Sequence, residues 1–175
     1  MRDFCTVCGL QFGAPLQNLA LWARTFFEAA GITVTVTSDR YIEMLENFLR
    51  PQLEEMDVAD AWFQQDGATA HTAQRSMQVL REIFPGKLIS LRGDVGWPAH
   101  SPDLAPYDFF LSGYLKSKIH THRPENLQAL KDAIRWEITA IPPAMTERVT
   151  RAFRNRLEES IANDGHHLGD IIFKT

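Results

Sequence analysis

Two aspartates occupy positions where carboxylates could do chemistry. Asp66 follows the short apolar segment at residues 61–65 and precedes a turn of small residues, and Asp108 follows the proline-rich segment GDVGWPAHSPDLAP. Carboxylate oxygens are hard ligands that suit Mg²⁺ when they leave room for water and phosphate. Two such metals, about 3.5–4 Å apart, can activate an attacking oxygen and stabilise a leaving one in phosphodiester chemistry. The pair is therefore a candidate for metal-dependent phosphoryl transfer.

Each aspartate also has a purely structural interpretation. An Asp-Gly pair is a common turn, and a carboxylate in the first turn of a helix is stabilised by backbone N–H groups and the helix dipole. Small residues after Asp66 would let a nucleic-acid backbone approach closely. Three prolines would restrict the loop before Asp108, namely Pro98, Pro102 and Pro106. The residue types alone leave both interpretations open.

Strands and helices alternate around these positions. Apolar or β-branched runs predict strands at residues 4–10, 32–36, 61–65 and 88–91. Helical spacing of apolar residues predicts helices from about Asp39, after Thr72, from Pro106, over 127–141 and from Met145. The pattern favours one α/β domain over residues 1–175, with a mixed sheet flanked by helices.

Several residues predict where the helices begin and end. Thr37 or Ser38 is expected to cap the helix that starts near Asp39, and Thr72 is expected to cap the helix that carries the stripe Ala73, Met77, Leu80 and Phe84. Pro85-Gly86 ends that helix. Pro51 either interrupts the earlier helix or begins a new turn.

Composition narrows the class of protein. The 175 residues are 45% hydrophobic and 23% charged, which is ordinary for a globular domain, and the net charge of −4 excludes binding to DNA by bulk positive charge. No apolar run is long enough to span a membrane, and the N-terminus does not resemble a secretory signal. A cytosolic or nuclear location is expected. Cys5 and Cys8 form a lone C-x-x-C without a second ligand pair, which favours a structural strand over zinc.

A local basic cluster lies in YLKSKIHTHR. Lys116, Lys118 and Arg123, together with His120 and His122, are the best candidates for contact with nucleic acid. The same residues are equally consistent with a solvated helix end, where positive charge is stabilised by the helix dipole.

Two segments resemble the catalytic domain of mariner-type transposases, in the Tc/mariner superfamily. The segments are WFQQDGATAHT and WPAHSPDLAPYDFFLSGYLKSK, and the second contains a specific S-P-D-L-x-P motif followed by Asp and aromatic residues. The resemblance implies an RNase H-like fold and a group of three catalytic carboxylates, of which Asp66 matches the second and Asp108 the third. It implies that Asp103 fixes the loop. The separation of 42 positions (108 − 66) is longer than in the best-known mariner branch, and the extra residues fall around PGKLISLRGDVGW.

The resemblance also implies a cofactor, partners and a location. A two-metal site with Mg²⁺ or Mn²⁺ would be held by Asp66 and Asp108, and water would attack the phosphodiester before the freed 3′-hydroxyl attacks target DNA. His71 would orient Asp66 or approach phosphate, or is simply a histidine at a helix start in a polar turn. Trp97 and His100 would shape the loop that meets DNA, or only anchor that loop. DNA is the expected partner. The chain is expected to form a homodimer or to assemble with intact transposase subunits. It is expected in the nucleus, and no membrane is involved.

Parts of the family pattern are not found in this sequence. The first carboxylate is expected upstream of Met1, before the segment FCTVCGL, and Asp3 lies too close to that segment to replace it. The N-terminal helix-turn-helix region is also absent, so a partial domain without its N-terminal strand or strands is expected. Cleavage by this chain alone is not expected. The alternatives are a non-catalytic DNA-binding or transposase-assembly module, or the product of a decayed gene.

Overall fold

A computed structural model describes residues 10–11, 28–29, 32–55, 61–98 and 103–165 of the chain. The chain divides into two compact units, Met1–His100 and Ser101–Thr175. Cys5, Cys8, Asp3 and His100 lie outside the described residues, as does all but the last residue of the strand predicted at 4–10.

The first unit contains a mixed sheet. Its strands are β1 (Leu10–Gln11), β4 (Trp62–Gln64), β5 (Leu88–Ser90) and β6 (Val95–Gly96), in that order, and β2 (Glu28–Ala29) and β3 (Ile32–Thr33) form a separate antiparallel pair. β1 is antiparallel to β4, whereas β4, β5 and β6 run parallel to one another. The predicted α/β class and mixed sheet are confirmed, and the RNase H-like fold stays a prediction.

A helical segment follows β3. It comprises α1 (Ser38–Met44), a π-helical turn (Leu45–Leu49) and α2 (Arg50–Glu55). The predicted cap is confirmed, because the Thr37 side chain accepts a hydrogen bond from the Arg40 N–H at 3.4 Å. Pro51 does not end the segment. A proline ring crowds the carbonyl one turn earlier, and in this chain that carbonyl belongs to the π-helical turn Leu45–Leu49.

The predicted cap at Thr72 is wrong. Thr72 is the last residue of a short helix, α3 (Thr69–Thr72), and its hydroxyl donates to the Ala68 carbonyl at 3.1 Å. Ala73 separates this turn from α4 (Gln74–Ile83), and no side chain caps α4. A threonine inside a helix can bond to the carbonyl four residues earlier, and here that bond replaces the cap.

Apolar residues of α1, of the π-helical turn that follows it, and of β4, β5 and α4 form the core of the first unit. Phe63 stacks on Phe84 with ring centroids 4.9 Å apart, and Met77 and Leu80 of the predicted stripe are buried with them. The predicted end of α4 is confirmed at Pro85-Gly86, where Gly86 has a positive φ of 71°.

The described part of the second unit consists of helices. A π-helical turn (Tyr107–Leu111) leads into α5 (Ser112–His122), followed by α6 (Leu127–Thr139) and α7 (Pro143–Ala162). Pro143 lies in the first turn of α7, where its missing N–H costs no helical hydrogen bond. Ile134 and Ile138 of the predicted α6 stripe are buried, as are Val149 and Phe153 of α7. Among the described helices, none is long and apolar enough to cross a membrane.

Two glycines allow a stability test of this fold. A Cβ at Gly93, in the turn between β5 and β6, would lie 2.4 Å from the Leu88 carbonyl oxygen, whereas a Cβ at Gly113 in α5 meets nothing within 4 Å. We expect Gly93→Ala to lower the free energy of unfolding by about 1–3 kcal/mol, because a backbone atom must move. Gly113→Ala should raise it by about 0.5–1 kcal/mol through helix propensity. Urea denaturation measures both, and a neutral Gly93→Ala would contradict the described turn.

Candidate functional site

Asp66 lies at the carboxyl end of β4, beside the end of the parallel strand β5. The Gln65 N–H donates to the Ile89 carbonyl at 3.0 Å, so pairing with β5 continues up to the residue before Asp66. The Asp66 Oδ1 then accepts the Ala68 N–H at 3.0 Å, which closes the turn on the aspartate's own side chain. Asp66 is therefore fixed by the turn that it forms, and its side chain is 30% exposed.

His71 holds the same carboxylate oxygen from the other side. Its Nδ1 lies 2.5 Å from the Asp66 Oδ1. The imidazole is buried, and its ring centroid lies 4.4 Å from that of Tyr41. This is the orienting arrangement that the sequence suggested for His71, whereas its contact with phosphate stays a prediction. No described residue hydrogen-bonds to the Asp66 Oδ2, so this second oxygen is available to a ligand.

A buried amide connects the elements around this pair. The Gln65 Oε1 accepts a hydrogen bond from the Tyr41 hydroxyl at 2.7 Å. Its Nε2 lies 3.0 Å from the Ser90 Oγ and 3.2 Å from the His71 carbonyl oxygen. Gln65 and Ser90 are fully buried. Gln65 thus ties α1, β5 and the turn of His71 to the strand residue that directly precedes Asp66.

No sequence pattern predicts this network. Tyr41 falls in the helix predicted from about Asp39 and Ser90 in the strand predicted at 88–91, and neither prediction indicates a contact with Gln65. The available signal was the pair of glutamines at the end of an otherwise apolar strand. Gln64 and Gln65 are both fully buried, yet no described residue hydrogen-bonds to the Gln64 amide.

Asp108 lies in the second unit, at the start of the π-helical turn. It is exposed, and its N–H donates to the Ala105 carbonyl at 2.9 Å. Arg156 of α7 fixes the preceding loop, because its guanidinium donates to the Asp103 carbonyl at 3.0 Å and lies over the Phe109 ring at 4.3 Å from its centroid. No sequence pattern predicts this role for Arg156, which lies 53 positions after Asp103 in the chain.

The residues predicted to contact DNA lie on different elements of the fold. Trp97 is half-buried after β6, and its N–H donates to the Ser90 carbonyl at 3.0 Å. Lys116 and Lys118 are both exposed on α5. Residues two positions apart in a helix differ by about 200° around the helix axis, so the two lysines are not on one face. Arg123 ends α5 in a left-handed conformation with φ of 43°.

The donor chemistry at Asp66 fits a hard divalent cation. Mg²⁺ is bound in proteins through one or two carboxylates and keeps several waters. Asp66 presents Oδ2 while Oδ1 is held, which is the geometry of a carboxylate that can bind a metal through one oxygen. Within the described part of the chain, no group of three or more His, Cys, Asp or Glu residues forms a metal site from protein ligands alone.

Comparison with known proteins identifies a transposase that this chain resembles. No family model matches the chain. The chain is 30% identical over 137 residues to the transposable element Tc3 transposase of Caenorhabditis elegans, an alignment that covers 77% of this chain. The chain spans only 39% of the length of that relative. The resemblance noted in the sequence is thereby confirmed, and the chain is similar over most of its length to a Tc1/mariner-type transposase.

Proposed function

We propose that this chain is part of a transposase catalytic domain that binds DNA, with Asp66 and Asp108 as its metal-binding carboxylates. The placement of Asp66 supports the proposal most directly. Its carboxylate lies at the end of a parallel strand with one oxygen held by His71 and the other without a hydrogen bond from the described residues. The match to a transposase over 77% of the chain supports the same assignment.

Each residue has a distinct role in this proposal. Mg²⁺ or Mn²⁺, when bound, would supply the charge that activates an attacking oxygen and stabilises a leaving one at a phosphodiester. Asp66 would bind the metal through Oδ2, and His71 would keep the carboxylate in that orientation. Asp108 would present the second carboxylate, with Arg156 fixing the loop that precedes it. Exposed Lys116, Lys118 and Arg123 would contact the DNA backbone.

Several finer features belong to the same proposal. We expect an RNase H-like fold, a nuclear location, and assembly as a homodimer or with intact transposase subunits. The family pattern has three carboxylates, and the sequence matches two of them. A site with two of three carboxylates attracts metal more weakly, because it lacks a ligand and a negative charge. We therefore expect no strand cleavage by this chain alone.

Two assays on one preparation test the proposal. The first measures binding to a fluorescent DNA duplex by anisotropy over a range of salt concentrations, where we expect affinity to fall as salt rises. The second measures nicking of supercoiled plasmid with Mg²⁺ or Mn²⁺, using Asp66→Ala and Asp108→Ala as controls. DNA binding without nicking is the expected result for this chain.

Other outcomes separate the alternatives. Metal-dependent nicking that both variants abolish would show that each aspartate is required, and would refute the expected inactivity. Nicking that neither variant affects would refute the assignment of the aspartates. A folded chain that binds no duplex at low salt would contradict the proposed role in DNA binding.

A further inference from the structure

The exposed face of α7 carries a row of arginines. Arg148, Arg151 and Arg154 are all exposed and follow one another at intervals of three residues. At 100° per residue they cluster on the side of the helix opposite Val149 and Phe153, which are buried. The row rises about 9 Å along the helix axis, at 1.5 Å per residue. This arginine row is therefore a narrow, positively charged ridge on a helix with a buried opposite face.

These arginines differ from others in the same chain. Arg75 pairs with Asp39 at 2.6 Å, Arg135 pairs with Asp132 at 3.0 Å, and Arg156 is bonded to the Asp103 carbonyl. The three arginines of the row form no ion pair or hydrogen bond with any residue that the structure describes. Carboxylates are available one turn away, since Glu147 precedes Arg151 by four positions and Glu158 follows Arg154 by four.

The arginine row does not stabilise α7. Like charges three or four residues apart on a helix destabilise it by about 0.2–0.5 kcal/mol for each pair. The chain as a whole is negative, at −4, so the row is a local concentration of positive charge and not part of a general excess. A binding partner with regularly spaced negative charge would remove the repulsion.

We propose that the arginine row of α7 binds the phosphate backbone of DNA. Guanidinium groups recognise phosphate through two parallel N–H donors and are less strongly hydrated than lysine ammonium groups. Along one DNA strand the charges follow at about 3.4 Å of axial rise, so a ridge of about 9 Å covers a run of two to three phosphates. The row adds a further proposed DNA contact to those of Lys116, Lys118 and Arg123, and it rests on the proposed function.

The test compares two triple variants that carry the same charge. One is Arg148→Gln/Arg151→Gln/Arg154→Gln, which removes the row. The control is Arg75→Gln/Arg81→Gln/Arg135→Gln, which removes three arginines that are already bonded to Asp39, to the Arg92 carbonyl and to Asp132. Both variants change the net charge from −4 to −7, because each loses three positive charges. Circular dichroism melting checks that both remain folded.

Binding of a duplex is measured by fluorescence anisotropy at several salt concentrations. We expect the row variant to bind at least about tenfold more weakly at 0.1 M salt, with a slope of log affinity against log salt that is smaller by about one for each arginine removed. The control should keep a larger affinity and slope than the row variant.

Equal affinities and slopes for the two variants would overturn the proposal, because only the total charge would then matter. A changed oligomeric state with unchanged DNA binding, measured by analytical ultracentrifugation, would also overturn it and would assign the row to protein assembly. If the unmodified chain binds no duplex, the proposed function itself fails. If it binds and the row variant binds equally well, only the arginine row is refuted.

Discussion

Gln65→Leu should lower the free energy of unfolding by about 2–4 kcal/mol. The substitution keeps a side chain of similar size but leaves the buried Tyr41 hydroxyl and Ser90 hydroxyl without their amide partner. A buried polar group that loses its hydrogen bond costs about 1–3 kcal/mol. The turn of His71 also loses the amide that holds its carbonyl oxygen. Chemical denaturation followed by tryptophan fluorescence measures the change.

Gln64→Leu is the matched control. Gln64 precedes Gln65 in the same strand and is equally buried, but its amide has no hydrogen-bond partner among the described residues. Replacing a buried, unsatisfied amide by an apolar group of similar size should be neutral or stabilising. Equal destabilisation by the two substitutions would contradict the network, because it would show that burial alone matters at both positions.

Asp66→Asn should raise the dissociation constant for Mn²⁺ by at least about tenfold, which corresponds to about 1.4 kcal/mol. The asparagine keeps the size of the side chain and an oxygen that can accept the Ala68 N–H, but it removes the negative charge that attracts a hard cation. The dissociation constant is measured by electron paramagnetic resonance of free Mn²⁺ during a titration.

Asp94→Asn removes the same charge elsewhere in the same unit. The Asp94 carboxylate also accepts a backbone N–H, from Leu88 at 3.0 Å, so the two substitutions change similar interactions. We expect Asp94→Asn to leave the dissociation constant for Mn²⁺ unchanged. A similar loss of affinity in both variants would mean that Mn²⁺ responds to net charge, and would remove the reason for assigning it to Asp66.

The parts of the fold that depend on neighbouring residues were predictable from the sequence. The strand that ends before Asp66, the cap at Thr37 and the helix end at Pro85-Gly86 each depend on a few consecutive residues, and each is confirmed. The predicted cap at Thr72 is wrong because the local sequence is compatible with two hydrogen bonds of its hydroxyl. A threonine before an apolar stripe is typical of a helix cap, but the same hydroxyl can bond to a carbonyl within a preceding helical turn.

The interactions that hold the candidate site come from distant positions. Tyr41 and Ser90 reach Gln65 from 24 and 25 positions away, and Arg156 reaches the Asp103 carbonyl from 53 positions away. No local pattern specifies such partners, because they meet only when the strands and helices pack. The sequence therefore identified Asp66 and Asp108 as candidate ligands through their motif, but not the residues that fix their backbone.

The most direct test of the proposed site is a Mn²⁺ titration followed by amide NMR of the whole chain. Bound Mn²⁺ broadens the signals of nearby nuclei, so metal-binding carboxylates at Asp66 and Asp108 should broaden the amides after Asp66 and those around Asp108. Asp66→Asn should abolish the broadening after Asp66, and Asp108→Asn should abolish that around Asp108. No broadening at either aspartate, or equal broadening in the two variants, would contradict the proposed metal-binding carboxylates.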